Sequence, residues 1–299
     1  MAHTIRIAML NTDIPVPAVH FARGTYGNIF HKLLTAALPR ISSNNDITID
    51  SIDYDVRNFE YPPSNSNIDV VLITGSASSA YDDEEWIKRL DDYVLDLYIN
   101  HPHVKMFGSC FGHQLICQSL LRGEGVVVEK DPKGWEIGVK EVNLTEEFRK
   151  ALQHSSLQSE SSMSTSLLKE VPSKLRLQFV HADHVVLPSG LSSLPHSWVM
   201  LGSTSHCAVQ GVYQPGRILT LQGHFEFDRF VNTETLKVFG AKWDPEVLKQ
   251  TLEACASDDD AEVAADMVTM FLFEGGSRKR SRRVLGAGGL LTPPEEEVT

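Results

Sequence analysis

The stretch from Val104 to Leu121, V-K-M-F-G-S-C-F-G-H-Q-L-I-C-Q-S-L-L, constrains this 299-residue chain more than any other. Its first four residues read as a short buried strand and its last ten step at helical spacing, so Cys110 falls at a strand-to-helix join. A residue on so sharp a turn is driven into unusual backbone angles, and its neighbours two before and two after must be small. They are Gly108 and Gly112. The pattern is that of a nucleophile elbow with cysteine as the nucleophile. It lifts the sulfur above the carboxyl end of a strand and sets it at a helix N-terminus, where unpaired N–H groups and the helix dipole favour thiolate over thiol. Taken alone, the pentapeptide fits a tight turn around a small core cysteine equally well, so the decision rests on what else the chain offers.

A second stretch far downstream, L-T-L-Q-G-H-F-E-F-D from Leu219 to Asp228, reads as a strand followed by His224 and then Glu226. A thiol needs a base to take its proton, and the base needs a carboxylate to fix its tautomer. Cysteine, histidine and glutamate thus occur in a workable chain order. His113 is the weaker candidate for the base, because the helix after the elbow points it away from a productive line. Cys117 lies two helical turns beyond Cys110 but has no strand turn of its own and reads as core.

G-S-C-F-G-H-Q with G-H-F-E resembles the class I, triad-type glutamine amidotransferases, whose pattern is G-x-C-x-G-x-Q followed far downstream by H-P-E. The likeness runs from about Ile5 to Phe230, and Phe225 stands where the family usually has proline. The resemblance implies a doubly wound α/β fold with a mainly parallel central sheet and helices on both faces, its site along the carboxyl edge of the strands. It implies a catalytic triad of Cys110, His224 and Glu226 acting on glutamine or a γ-glutamyl amide through a γ-glutamyl thioester, without metal or cofactor. Gln114 would contact the bound amide. The turn at Gly75 and Ser76 would supply half of an oxyanion hole and the Phe111 N–H the other half; without the elbow, that small-residue turn reads as a plain strand-to-helix connection.

Two further segments carry open alternatives. Gly134-Trp135-Glu136-Ile137-Gly138 is a tight aromatic turn similar to G-W-E-x-G segments of stand-alone members such as the γ-glutamyl peptidases, near their substrate pocket, or else a hairpin with a packed indole. His181 and Asp183 follow a strand and either contact the amino-acid part of the substrate, as the family's segment does, or cap the next turn.

Charge and cysteine usage narrow the setting. Lys and Arg total 27 against 39 Asp and Glu, a formal net charge of -12 that argues against nonspecific nucleic-acid binding. Cys110, Cys117, Cys207 and Cys255 form no C-x-x-C pair, which points to a reducing compartment, the cytoplasm. The N-terminus passes straight into a strand pattern, and no apolar run approaches the roughly 18 residues a membrane span needs. The Asn143-Leu144-Thr145 sequon therefore reads as coincidence.

In chain order, strands are expected at Ile5 to Leu10, Ile47 to Tyr54 and Asp69 to Thr74, with a helix from about Asn28 to Leu38 and another opened by the acidic run Asp82 to Glu85. Strands follow at Gly123 to Glu129 and Leu175 to Val180, and a pair at Trp198 to Gly202 and Cys207 to Tyr213. Gln153 to Ser166 is too serine-rich to build core and is expected to be a loop. Two helices, about Glu246 to Cys255 and Ala261 to Phe273, close a single domain over residues 1–273. Residues 274–299 read as a disordered tail, in which Arg278 to Arg283 resembles a nuclear-import signal or is simply a solvated basic run. With only two helices and a tail expected after Glu226, no synthase domain is expected in this sequence. Three roles follow: a free-standing γ-glutamyl hydrolase, a glutaminase subunit passing ammonia to a synthase partner, or a noncatalytic regulatory member.

Overall fold

The first strand, β1 (His3–Asn11), is covered on both faces, because alternation sends Ile5, Ile7 and Met9 into one apolar cluster and Ala8 and Leu10 into another. The same split recurs in β3 (Val70–Ile73), where Val70 and Leu72 face the first cluster and Val71 and Ile73 the second. These coordinates come from a computed structural model that describes residues 3–41, 47–157, 170–188 and 194–274.

Between and after these strands come α1 (Pro17–Arg23), α2 (Tyr26–Ile41), β2 (Ile47–Asp55), α3 (Glu85–Asn100), β4 (Lys105–Ser109), α4 (Phe111–Leu121), β5 (Val127–Lys130), β6 (Glu136–Leu144) and α5 (Glu146–Leu157). The second half adds β7 (Lys174–His181), β8 (Asp183–Val186), β9 (Val199–Met200), β10 (Gly202–Ser203), β11 (Val212–Gln214) and β12 (Ile218–Leu221), then α6 (Arg229–Phe239), α7 (Pro245–Ala254) and α8 (Ala261–Phe273). The central sheet runs β2-β1-β3-β4-β12-β11-β9. Its first five strands are parallel, and β11 and β9 extend it antiparallel. Helices α2 and α8 contribute to the cluster on one face and α3 and α4 to that on the other, giving the doubly wound α/β architecture expected from the sequence.

What positions the site is the pairing of β4 with β12. Gly108 is opposite Thr220 and Ser109 opposite Leu221, so the elbow and the His224 segment leave the sheet side by side. The far end of β4 is fixed by Lys105, a buried lysine whose Nζ donates to the carbonyl oxygens of Phe271, Leu272 and Glu274 at 2.9, 2.7 and 2.6 Å. Three acceptors at the end of α8 offset the cost of burying that ammonium, and the lysine in turn satisfies carbonyls that the helix end leaves without an intrahelical donor.

Five expectations change. The strand expected at Cys207 to Tyr213 is confined to β11, Val212–Gln214, since Gly211 (φ 158) lies too close to the Thr220 carbonyl for a side chain and the segment before it runs as loop. Gln153 to Leu157 is not loop but the last turn of α5, anchored by buried Phe148 and Leu152; the rest of the serine-rich segment, from 158, lies outside the described residues. Glu274 does not belong to a tail: its side chain is buried and accepts from Tyr213 Oη at 2.6 Å and from the Gly216 N–H at 2.8 Å. The basic run Arg278 to Arg283 lies outside the described residues. The chain after Glu226 forms three helices rather than two, α6 being the addition. The aromatic turn ends at Trp135, and Glu136 already begins β6, where Gly138 (φ 85) passes so close to α7 that a Cβ would meet Ala254 Cβ at 2.7 Å.

Candidate active site

Cys110 sits between β4 and α4 with φ 50 and ψ -104, a strained conformation for a residue with a side chain. Its N–H is held by the Leu221 carbonyl at 2.8 Å. The flanking glycines are demanded by space: a Cβ on Gly108 would lie 2.5 Å from the Gly112 carbonyl, and one on Gly112 only 2.4 Å from Ile73 O. The turn holds the sulfur at the mouth of α4, where the Phe111 N–H, at the first helical position, has no acceptor within the helix.

His224 follows β12 and is clamped by its N–H to Gln178 O at 2.8 Å. Its Nδ1 donates to Glu226 Oε1 at 2.7 Å, and its ring stacks on Phe227 with centroids 4.0 Å apart. Nε2 is buried with no hydrogen-bond partner among the described residues. His224 and Cys110 meet across Gly75, where a Cβ would fall 3.1 Å from His224 Cε1 and 3.5 Å from Cys110 Cβ. Burial opposes a charge on this imidazole, yet Glu226 and the Cys110 sulfur together raise it to about 10. Glu226 is itself oriented by Ser109, the residue before the nucleophile, whose Oγ donates to Oε1 at 2.8 Å.

The turn after β3 is fixed from beneath. Thr12 Oγ1 donates to Gly75 O at 2.8 Å and lies 3.1 Å from Thr74 O, while Asp13 Oδ2 accepts from the Ala77 N–H at 2.9 Å. Because a trans peptide points its C=O and N–H in opposite directions, anchoring the Gly75 carbonyl on Thr12 turns the Ser76 N–H the other way. Gly75 and Ser76 line a small cavity together with Cys110 and His224.

A cleft of about 490 Å³ brings together Ser76, Cys110, Gln114, Trp135, His181 and Asp183. Gln114 Nε2 donates to the Asp183 carbonyl and to Gln222 Oε1, both at 3.0 Å. Both ring nitrogens of His181 face acceptors, Nε2 toward Glu136 Oε2 and Nδ1 toward Asp183 O, each at 2.9 Å. Burial alone would raise the Glu136 carboxyl, but hydrogen bonds from His181, Thr204 and Gln210 hold it below its ordinary range. His181 therefore shapes the cleft wall through Asp183. Trp135 stands partly exposed, its ring edge set against Trp243 at 6.1 Å.

His113 is turned away from the sulfur, with Nδ1 2.8 Å from Thr220 Oγ1, and burial pushes it down to about 3, so it stays neutral. Cys117 is fully buried and its thiol is driven up by that burial. All four cysteines are free thiols.

The glutamine amidotransferase class-I family model matches residues 27–242. The chain belongs to this family. It is 30% identical over 272 residues to a glutamine amidotransferase-like protein of Schizosaccharomyces pombe, spanning 90% of this chain and 98% of that one. It is 27% identical over 218 residues to gamma-glutamyl peptidase 4 of Arabidopsis thaliana, spanning 72% and 74% of the two chains. Among solved structures, a glutamine amidotransferase from Thermotoga maritima shares the fold with a TM-score of 0.57 at 17% identity, over 90% of this chain and 97% of its own.

Against this class-I amidotransferase background, Phe225 marks a local departure, and its packing accounts for it. The ring points away from His224 and Glu226 into the core, edge-on to Phe30 at 5.3 Å and to Phe107 at 5.9 Å. Sequence reasoning missed Gln222 and Ser109, both buried polar residues touching the Cys110–Glu226 array. The only sequence signal for Gln222 is its place two residues before His224, on the same side of an extended segment.

Proposed function

We propose that the chain is a cysteine-dependent amide hydrolase that cleaves the side-chain amide of glutamine or of a γ-glutamyl amide. The observation that supports this reading most directly is His224, held by Glu226 at 2.7 Å, with Nε2 unpartnered beside the strained Cys110. In this reading the proton of the Cys110–His224 pair rests on His224 Nε2, and the Cys110 sulfur, relieved of it, attacks the amide carbon. A C–S bond forms as the carbonyl electrons move onto oxygen, toward the N–H groups of Phe111 and the Gly75–Ser76 turn.

Collapse of the adduct breaks the C–N bond, and the proton on Nε2 passes to the departing nitrogen, which leaves as ammonia or an amine. Water then gives a proton to His224 and its oxygen to the thioester carbon. The C–S bond breaks, glutamate departs and the thiol is restored. Gln114, Trp135, His181 and Asp183 line the space for the remainder of the substrate.

Purified protein given glutamine or γ-glutamyl dipeptides is expected to release glutamate, and Cys110→Ser to release about a thousandfold less or lower. A glutamine-like electrophile should modify Cys110; an unmodified Cys110 beside a labelled Cys117 would overturn the assignment. Labelling of Cys110 without release from any substrate would favour the glutaminase subunit that serves a synthase partner. Neither labelling nor release would favour the noncatalytic role.

A further inference from the structure

The cleft at Cys110 falls in the size range of sites for drug-sized ligands, about 300–1,000 Å³, and its volume of about 490 Å³ exceeds what a glutamine side chain needs. Its outer part has a distinct chemistry. Strands β5 and β8 pair antiparallel with Lys130 opposite Asp183. Residues so placed share a face of the ribbon, and opposite charges there ordinarily pair. Here they do not. Asp183 already receives Ser79 Oγ at 2.5 Å on Oδ2 and Tyr81 Oη at 3.1 Å on Oδ1. Lys130 has no ion-pair partner among the described residues and lines the cleft.

Two apolar rings line the same cleft as this exposed lysine. Trp135 is 46% exposed and Phe239, from α6, 39%. Trp135 is not loosely hung: Gly134 (φ 84) closes the turn beneath it and Trp243 backs its ring. A cation at the rim of a cleft with apolar lining attracts an anion bound in that cleft more strongly than one in open water.

Resting on the γ-glutamyl hydrolase reading, we infer that this end of the cleft receives the amine half of the substrate and selects amines that end in a carboxylate. The favoured substrates are then γ-glutamyl peptides with a free C-terminus, not glutamine. Lys130 pairs with the terminal carboxylate, and Trp135 with Phe239 covers the apolar side chain. When the C–N bond breaks, the nitrogen takes the proton from His224 and the amino acid leaves with its carboxylate unchanged.

Three substrates test this: γ-Glu-Phe, its C-terminal amide, and glutamine. Wild-type kcat/KM is expected to favour γ-Glu-Phe over its amide about tenfold, the order of one charge-assisted hydrogen bond. Lys130→Ala should bring that ratio near unity through KM, Lys130→Glu should invert it, and Lys130→Arg should preserve it. Trp135→Ala should raise KM for both dipeptides more than for glutamine. A wild-type ratio near unity, or an undiminished ratio in Lys130→Ala, overturns this inference while glutamate release still upholds the hydrolase reading. No release from any of the three by the wild type overturns both.

Discussion

Gln222 donates from Nε2 to the Cys110 sulfur over 3.5 Å. It is wholly buried, and its own Oε1 is fixed by Gln114, whose amide nitrogen also reaches the Asp183 carbonyl at 3.0 Å. The sulfur therefore accepts from a buried side-chain amide, which helps to fix its place at the turn.

Gln222→Leu is expected to lower kcat/KM about tenfold and to slow alkylation of Cys110 by iodoacetamide, at little cost in volume. Gln114→Leu should act through the same chain, so the double substitution costs less than the sum of the two. Unchanged alkylation and turnover in Gln222→Leu would show that the donor has no chemical role.

A pH profile tests the electrostatics. His224 keeps its proton below about 10 and sheds it above, because Glu226 and Cys110 outweigh the effect of burial. Turnover needs that proton for the leaving nitrogen, so the rate should fall as pH rises through this value. Glu226→Gln removes a main source of the upward shift; the alkaline limb should move to lower pH and the neutral rate drop about a hundredfold or more. An alkaline limb that stays in place would separate Glu226 from the imidazole.

Two glycines should respond differently to alanine. At Gly75 the new methyl crowds the edge of the His224 ring at 3.1 Å and touches Cys110 Cβ at 3.5 Å, with no backbone in its way. Gly75→Ala should therefore cost activity, about tenfold or more, with little change in stability. At Gly112 the methyl meets the Ile73 backbone at 2.4 Å. Gly112→Ala should destabilise the fold by about 3 kcal/mol, read as a lowered denaturation midpoint. Equal losses of stability in both would contradict this division.

Replacing Phe225 by the family's proline should harm the fold more than the chemistry. The ring fills space between Phe30 and Phe107, and its removal leaves a cavity. Phe225→Pro is expected to cost about 3–5 kcal/mol and Phe225→Leu clearly less, measured by denaturant unfolding. Full stability in Phe225→Pro would mean that the ring carries little of the core.

The elbow is legible in the sequence because its constraint is local: a strand, two small residues and a helix compel the backbone of Cys110 whatever surrounds it. His224 and Glu226 are legible for a similar reason, since alternate residues of one extended segment share a side. Helix α6 escaped notice because its buried positions include Asn232 and Thr235 while Phe230 and Val238 face outward, which erases the apolar period. Glu274 escaped because nothing nearby in sequence announces Tyr213 and Gly216 as its partners.

By itself, then, the sequence determined the turn that presents the sulfur, the places along the chain of the parallel sheet's main strands, and the imidazole–carboxylate pair. Only the tertiary structure decided that Gln222 reaches Cys110, that Ser109 steadies Glu226, and that Lys130 is left unpaired opposite Asp183. Those relations depend on strand register and on which hydrogen-bonding groups are already satisfied. Both are properties of segments brought together from distant parts of the chain, and no local pattern carries them.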